Sequence, residues 1–208
     1  MSPPADWSPE NRERAARLIA AYPERRSAVM PLLYIAAMEH GYVSTEAMAE
    51  VAALTGLTAA QVQSVATFYT MYKRREVGKY LLSVCTSISC FLLGGDDVLA
   101  AVESETDTPD GETSADELYS VEHVECIGAC GGAPAMQVNY ELVEGVVPDK
   151  AQQLCRWLRD ASPDPVLGDE MQALFGGQRS FEWGPKETEG ATVPVPAFDP
   201  LGSASEGR

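Results

Sequence analysis

The sequence predicts an α+β protein: a helical N-terminal bundle, then a small mixed sheet packed with helices. Three observations lead there. From Ser8 to Tyr72 apolar residues recur at helical spacing. Past Gly78 the pattern turns into short apolar runs that read as buried strands, interleaved with helical stretches. Four of the five cysteines form two spaced pairs, each at the end of one of those runs. The expected organisation is a helical unit over residues 1–75, a sheet domain over 76–160, and an acidic tail rich in proline and glycine over 161–208.

Each element has a local reason. Ser8-Pro9 reads as an N-cap with proline at the first helical position, ahead of Ala15, Leu18, Ile19 and Tyr22 on one face. A second helix is expected from about Ser27 to His40, with Pro31 in its first turn and Gly41 closing it. Ser44 caps a third that stops at Gly56. Thr58 and Gln61 make a capping box for a fourth, through Val62, Val65 and Ala66 towards "FYTMY". Then "KYLLSV" reads as a strand, Leu92 to about Val102 as a helix with an acidic polar half, "SVEHVE" and "APAMQVN" as two more strands, and "PDKAQQLCRWLRD" as an amphipathic helix. Beyond Ala161 the expectation is a mostly extended tail with one short helix near "DEMQALFGG".

Composition narrows the function classes. Apolar residues make up 45 % of the 208, enough for a folded core, and no run approaches the roughly 18 apolar residues of a membrane span. The polar start lacks the apolar block of a secretory signal, so the chain is expected in the cytosol. There, cysteines serve as metal ligands, redox groups or packed thiols rather than disulfides. The net charge is −16, and the segment 94–125 carries 11 acidic residues and no Lys or Arg. Such a surface repels DNA and anionic membranes; the acidic block itself reads as a solvated loop and helix face.

The cysteines carry the chemistry. Cys85 and Cys90 make C-x4-C after the first strand, and Cys126 and Cys130 make C-x3-C after the second. If the two strands are neighbours, all four thiols emerge at one sheet edge, a ligand set for zinc or an iron–sulfur cluster. Structural zinc sites favour tight C-x2-C knuckles, whereas a two-iron cluster suits wider pairs, one per iron. "CTSISC" and "CIGACGG" are rich in small residues, so main-chain amides are free to turn towards sulfur and offset the cluster's negative charge. Cys155, beside Leu154, Trp157 and Leu158 on a helix, is expected to pack as a small apolar residue.

With "VATFYTMY" (65–72), "VGKYLLSVCTSISC" (77–90), "GET" (111–113) and "VECIGACGGAPAMQVN" (124–139) in view, the chain resembles the thioredoxin-like [2Fe-2S] subunit of NADH:quinone oxidoreductase, respiratory complex I. The resemblance runs from about Tyr22 to Arg159. It implies a thioredoxin-like [2Fe-2S] ferredoxin domain after the helical bundle, with Cys85, Cys90, Cys126 and Cys130 as ligands of one [2Fe-2S] cluster. It implies a one-electron carrier beside an NADH- and FMN-binding flavoprotein subunit, with both of those cofactors on that partner. Other subunits of the peripheral arm would be further partners. The protein would lie in the cytoplasm, attached peripherally to the inner face of the cell membrane through the complex. Here the segment between the cysteine pairs is more acidic than in the family pattern, and the tail after Ala161 has no counterpart in it.

Other readings stand beside this one. Related subunits serve NAD-dependent formate dehydrogenases and hydrogenases. The stretch "STEAMAEVAALTGLTAAQVQSVATFY" has the outline of a helix-turn-helix, although its second helix lacks Lys and Arg. A thioredoxin-like redox enzyme would favour C-x-x-C, and each pair here is wider. Phe68, Tyr69 and Tyr72, beside Met71 and near Arg25, Arg26, Arg74 and Arg75, read as a packing seam between helices and sheet or as part of a flavoprotein contact.

Overall fold

A computed structural model of the chain describes residue 4 and residues 6–181. It divides between Glu76 and Val77 into two compact units.

Among the described residues, the first unit is built from four α-helices, α1 (Pro9–Ala21), α2 (Val29–His40), α3 (Thr45–Thr55) and α4 (Ala59–Phe68). Their starts follow the local signals. The Ser8 side chain accepts from the Asn11 N–H, the Ser44 hydroxyl from the Ala47 N–H, and Thr58 and Gln61 complete the reciprocal capping box. α2 begins two residues later than expected, because Arg25–Ala28 forms a 3-10 turn first. Leu18, Leu32, Leu33, Val51, Leu54 and Val62 fill the core, while Tyr22 is exposed. The aromatic group after α4 divides. Tyr72 is buried and donates its hydroxyl to the Met30 carbonyl at 3.0 Å, so it belongs to this unit's own packing, whereas Phe68 is exposed. Among the described residues no single helix is long and apolar enough to cross a membrane.

Among the described residues, the second unit is a four-stranded mixed sheet with four α-helices. Its elements are β1 (Tyr80–Cys85), α5 (Ile88–Leu92), α6 (Gly95–Thr106), β2 (Tyr119–Val124), β3 (Ala135–Val138), β4 (Glu141–Glu144), α7 (Pro148–Ala161) and α8 (Gly168–Phe175). The strand order is β2-β1-β3-β4. β1 and β2 are parallel, Cys85 standing opposite Val124, and the helical crossover between them is what parallel pairing requires. β3 runs antiparallel to β1 and to β4. Tyr80, Leu82 and Val84 alternate into a core completed by Val98 and Val102 of α6 and Ala151, Leu154, Cys155 and Leu158 of α7. Glu105 accepts from Arg156 at 2.9 Å and Arg159 at 3.2 Å, joining the outer faces of α6 and α7.

Three expectations change here. The helix expected from Leu92 is two helices, since α5 ends at Leu92 and α6 begins only at Gly95. A fourth strand follows the third: Asn139 and Tyr140, both at positive φ, turn "AMQV" back into "ELVE" as a two-residue hairpin. Finally, the chain after Ala161 is not extended as far as Phe181. The short helix near "DEMQALFGG" is present as α8, but it packs on β4, and Val166, Met171 and Phe175 enter the main core. Residues 182–208 of the expected tail lie outside the described residues.

Candidate metal centre

The parallel pairing of β1 and β2 delivers both cysteine loops to one edge of the sheet. Cys85 is the last residue of β1, and Cys90 follows one turn later on α5. Val124 ends β2, and the chain then passes through Cys126 and Gly128 into a 3-10 turn over Cys130–Gly132. The Thr86 N–H donates to the Val124 carbonyl at 3.2 Å, and the Ser87 hydroxyl donates to the Glu125 carboxylate at 3.1 Å, so the two loops are tied together at their roots.

The two pairs differ in setting. Cys85 and Cys90 are buried in a small apolar cluster with Ala129 and Ala135, flanked by Val124, Ile127, Ala133 and Leu142. Cys126 and Cys130 are exposed, with their sulfurs 3.4 Å apart. All five cysteines are free thiols. Two thiolates sharing one tetrahedral ion at a bond length of about 2.3 Å would stand roughly 3.7 Å apart, so this pair is already close to the spacing of a two-thiol grip. Cys85 and Cys90 are near enough for their thiols to interact, and Cys130 is near enough to both to do the same. Among the described residues no three His, Cys, Asp or Glu side chains converge on a single point. The arrangement is one close thiol pair beside a second, buried pair rather than one closed site.

Electrostatics around the sulfurs come from burial, from neighbouring thiols and from main-chain amides. The Gly128 amide bonds the Cys126 sulfur and is the main reason its thiol lies below the usual range, with Cys130 second. Burial pushes the Cys90 thiol up to about 11, against a bond from the Ala135 amide that favours the thiolate. Cys130 is raised, first by its bond to Cys126, and is opposed by a bond from the Ser89 side chain. Sequence reasoning picked out the four cysteines and the small residues around them but missed Ser89 and the Ala135 amide. A backbone N–H has no residue signature, so the approach of the Ala135 amide to Cys90 shows only once the chain is folded.

Two neighbours complete the edge. Gly95, first residue of α6, lies against the first cysteine loop: a Cβ there would meet the Cys85 carbonyl oxygen at 2.7 Å and the Cys90 carbonyl carbon at 2.9 Å. On the outside of α5, Ile88, Phe91, Leu92 and Leu93 are 55–76 % exposed, an apolar patch beside Cys90. Cys155 is far from this chemistry in character. It is fully buried on α7, where burial pushes its thiol up to about 12, in accord with a packing role.

Comparison with known proteins places these features. The family model for thioredoxin-like [2Fe-2S] ferredoxin matches residues 15–159. An NADH-quinone oxidoreductase subunit of Mycobacterium tuberculosis is 38 % identical over 149 residues, which cover 72 % of this chain and 59 % of that relative. An NADH-quinone oxidoreductase subunit of Rhizobium meliloti is 40 % identical over 128 residues, 62 % of this chain and 76 % of the relative. This chain thus spans somewhat over half the length of the mycobacterial protein. Among solved structures, an NAD+-reducing [NiFe]-hydrogenase in the H2-reduced state superposes with a TM-score of 0.56 at 17 % identity, over 64 % of this chain and 22 % of the hydrogenase chain, a likeness of fold. A match of this extent, on a sheet edge carrying two pairs of free thiols, shows that the chain belongs to the thioredoxin-like [2Fe-2S] ferredoxin family.

Proposed function

We propose that the chain is a one-electron carrier of an NADH:quinone oxidoreductase, holding one [2Fe-2S] cluster on Cys85, Cys90, Cys126 and Cys130. The observation that carries this reading is that four free thiols, Cys85 and Cys90 on one loop and Cys126 and Cys130 on the other, stand at one end of the parallel β1–β2 pair. A two-iron cluster takes two thiolates at each iron, and the donor set supplies that number in that grouping. When bound, such a cluster supplies a site that accepts and releases one electron.

The protein's own part is to hold and tune that site. Gly128 and Ala135 amides and the Ser89 side chain aim donors at sulfur, which stabilises negative charge without any cationic side chain. The apolar cluster around Cys85 and Cys90 keeps water from one side. NADH and FMN belong, on this reading, to a flavoprotein partner, and the patch formed by Ile88, Phe91, Leu92 and Leu93 is the surface it covers. Electron exchange needs a partner close to the cluster, and α5 carries both the patch and Cys90. Attachment to the inner face of the cell membrane would be indirect, through the other subunits.

The relatives named as NADH-quinone oxidoreductase subunits, 38–40 % identical, support the quinone oxidoreductase reading. A DNA-reading role is disfavoured because α4, "AAQVQSVATF", has no cation to meet phosphate. The test is iron and acid-labile sulfide on the anaerobically purified chain. About two of each per chain is expected, with loss in each single Cys→Ala variant at 85, 90, 126 or 130 and none in Cys155→Ala. A variant at any of the four that keeps a full cluster removes that residue from the ligand set.

A further inference from the structure

We infer that Glu144 is a positioning residue for the second cysteine loop, clamping the segment after α8 onto the glycine pair that follows Cys130; this rests on the reading of Cys126 and Cys130 as cluster ligands. Glu144 ends β4 and is 1 % exposed. A buried carboxylate is costly unless donors satisfy it. Here one oxygen, Oε1, accepts from the Ser180 N–H at 3.1 Å and the Ser180 hydroxyl at 2.5 Å.

That same oxygen presses on the cysteine loop. A Cβ on Gly132 would stand 2.5 Å from it and 2.7 Å from the Gln178 carbonyl oxygen, and one on Gly131 would stand 3.1 Å from the Ser180 hydroxyl. The loop and the segment over 176–180 therefore touch with no side chain between them on the loop side. Main-chain bonds close the assembly: Gly145 N–H to the Gly132 carbonyl at 2.5 Å and Gly177 N–H to the Glu144 carbonyl at 2.8 Å. Gln172 of α8 brackets the backbone of Glu144, accepting from its N–H at 2.8 Å and donating to its carbonyl at 3.1 Å. Arg179 is pinned in turn by Asp169 at 2.7 Å.

Glu144 is thus the point where β4, the α8 segment and the Cys130–Gly132 turn meet. Its carboxylate does not reach a ligand sulfur; it acts by fixing the backbone that carries Cys130. The residues it recruits lie beyond the family match, which ends at residue 159, so the clamp is an addition to the common domain.

The test uses the full chain with its cluster, and the readouts are the rate of iron release to a chelator and the paramagnetic resonance spectrum of the reduced protein. Ser180→Ala removes the hydroxyl bond to the carboxylate and should release iron about ten-fold faster with shifted g-values, the effect of losing one hydrogen bond to a charged acceptor. Glu144→Ala should do at least as much, and Glu144→Gln, which keeps an acceptor oxygen, should recover most of the wild-type behaviour. Val102→Ala, in the α6 core, is the comparison: it should lower the melting temperature but leave both readouts at wild type. Wild-type release and spectrum in Ser180→Ala, or an equal change in Val102→Ala, overturns the positioning role alone. A wild-type chain that assembles no two-iron cluster overturns the metal-centre reading and this inference together.

Discussion

Gly95→Ala is the sharpest way to ask whether the start of α6 supports the first cysteine loop. The added methyl would stand 2.7 Å from the Cys85 carbonyl oxygen, 2.9 Å from the Cys90 carbonyl carbon and 3.0 Å from its oxygen. Contact becomes ordinary at 3.4 Å, so about 0.7 Å must be found, and all three atoms are backbone rather than flexible side-chain ends. Overpacking of this kind costs about 1–3 kcal/mol. Alanine recovers up to ~1 kcal/mol as a helix former, less at a first helical position. The net loss should be about 1–2 kcal/mol, or roughly 2–8 °C in the melting temperature. Because the displaced groups are the carbonyls of two proposed ligands, iron per chain should fall as well. Gly111→Ala serves as the contrast: the added methyl would meet nothing within 4 Å, but φ is +79°, so the variant carries a backbone cost of about 1 kcal/mol and should keep its iron. The assay is a thermal melt followed by circular dichroism, with iron and sulfide analysis on the same samples. Wild-type melting and full iron in Gly95→Ala would refute the argument, and so would equal iron loss in the Gly111 variant.

Gly128→Val should lower cluster occupancy or shift the reduction potential, because a β-branched residue is strained at φ +86° and would pull the amide away from the Cys126 sulfur; wild-type values in both measurements would count against the amide cradle. Leu92→Asp, 73 % exposed on α5, should leave iron content intact and weaken co-purification with an NADH- and FMN-binding partner. His123 is held protonated to higher pH by its 2.6 Å bond to Asp110. The folded value is raised, so the stabilisation is full below the free histidine range near ~6.5 and is lost as pH rises through the folded value. His123→Gln should therefore reduce stability by less than about 1 kcal/mol at about pH 5.5 and have no effect at about pH 9, measured by urea unfolding.

What the sequence by itself determined is what short-range interactions decide. Helix starts were legible at Ser8, Ser44 and Thr58 because a cap is a bond to an amide three residues on. The two cysteine pairs were legible because each is spaced within one short loop. The placement of both loops at one edge followed once β1 and β2 paired in parallel. Tertiary structure alone decided the rest. β4 stayed hidden because Tyr140, at positive φ, is no turn signal, and four residues carry no period. α8 looked like an isolated piece of tail, since Val166, Met171 and Phe175 become a packing face only when the β4 side of the sheet is there to receive them. The Ala135 amide at Cys90 and the Glu144 carboxylate under Gly132 are contacts between segments far apart in the chain. Whether an amide or a carboxylate reaches its partner depends on strand register and chain crossing, and neither leaves a local trace in residue order.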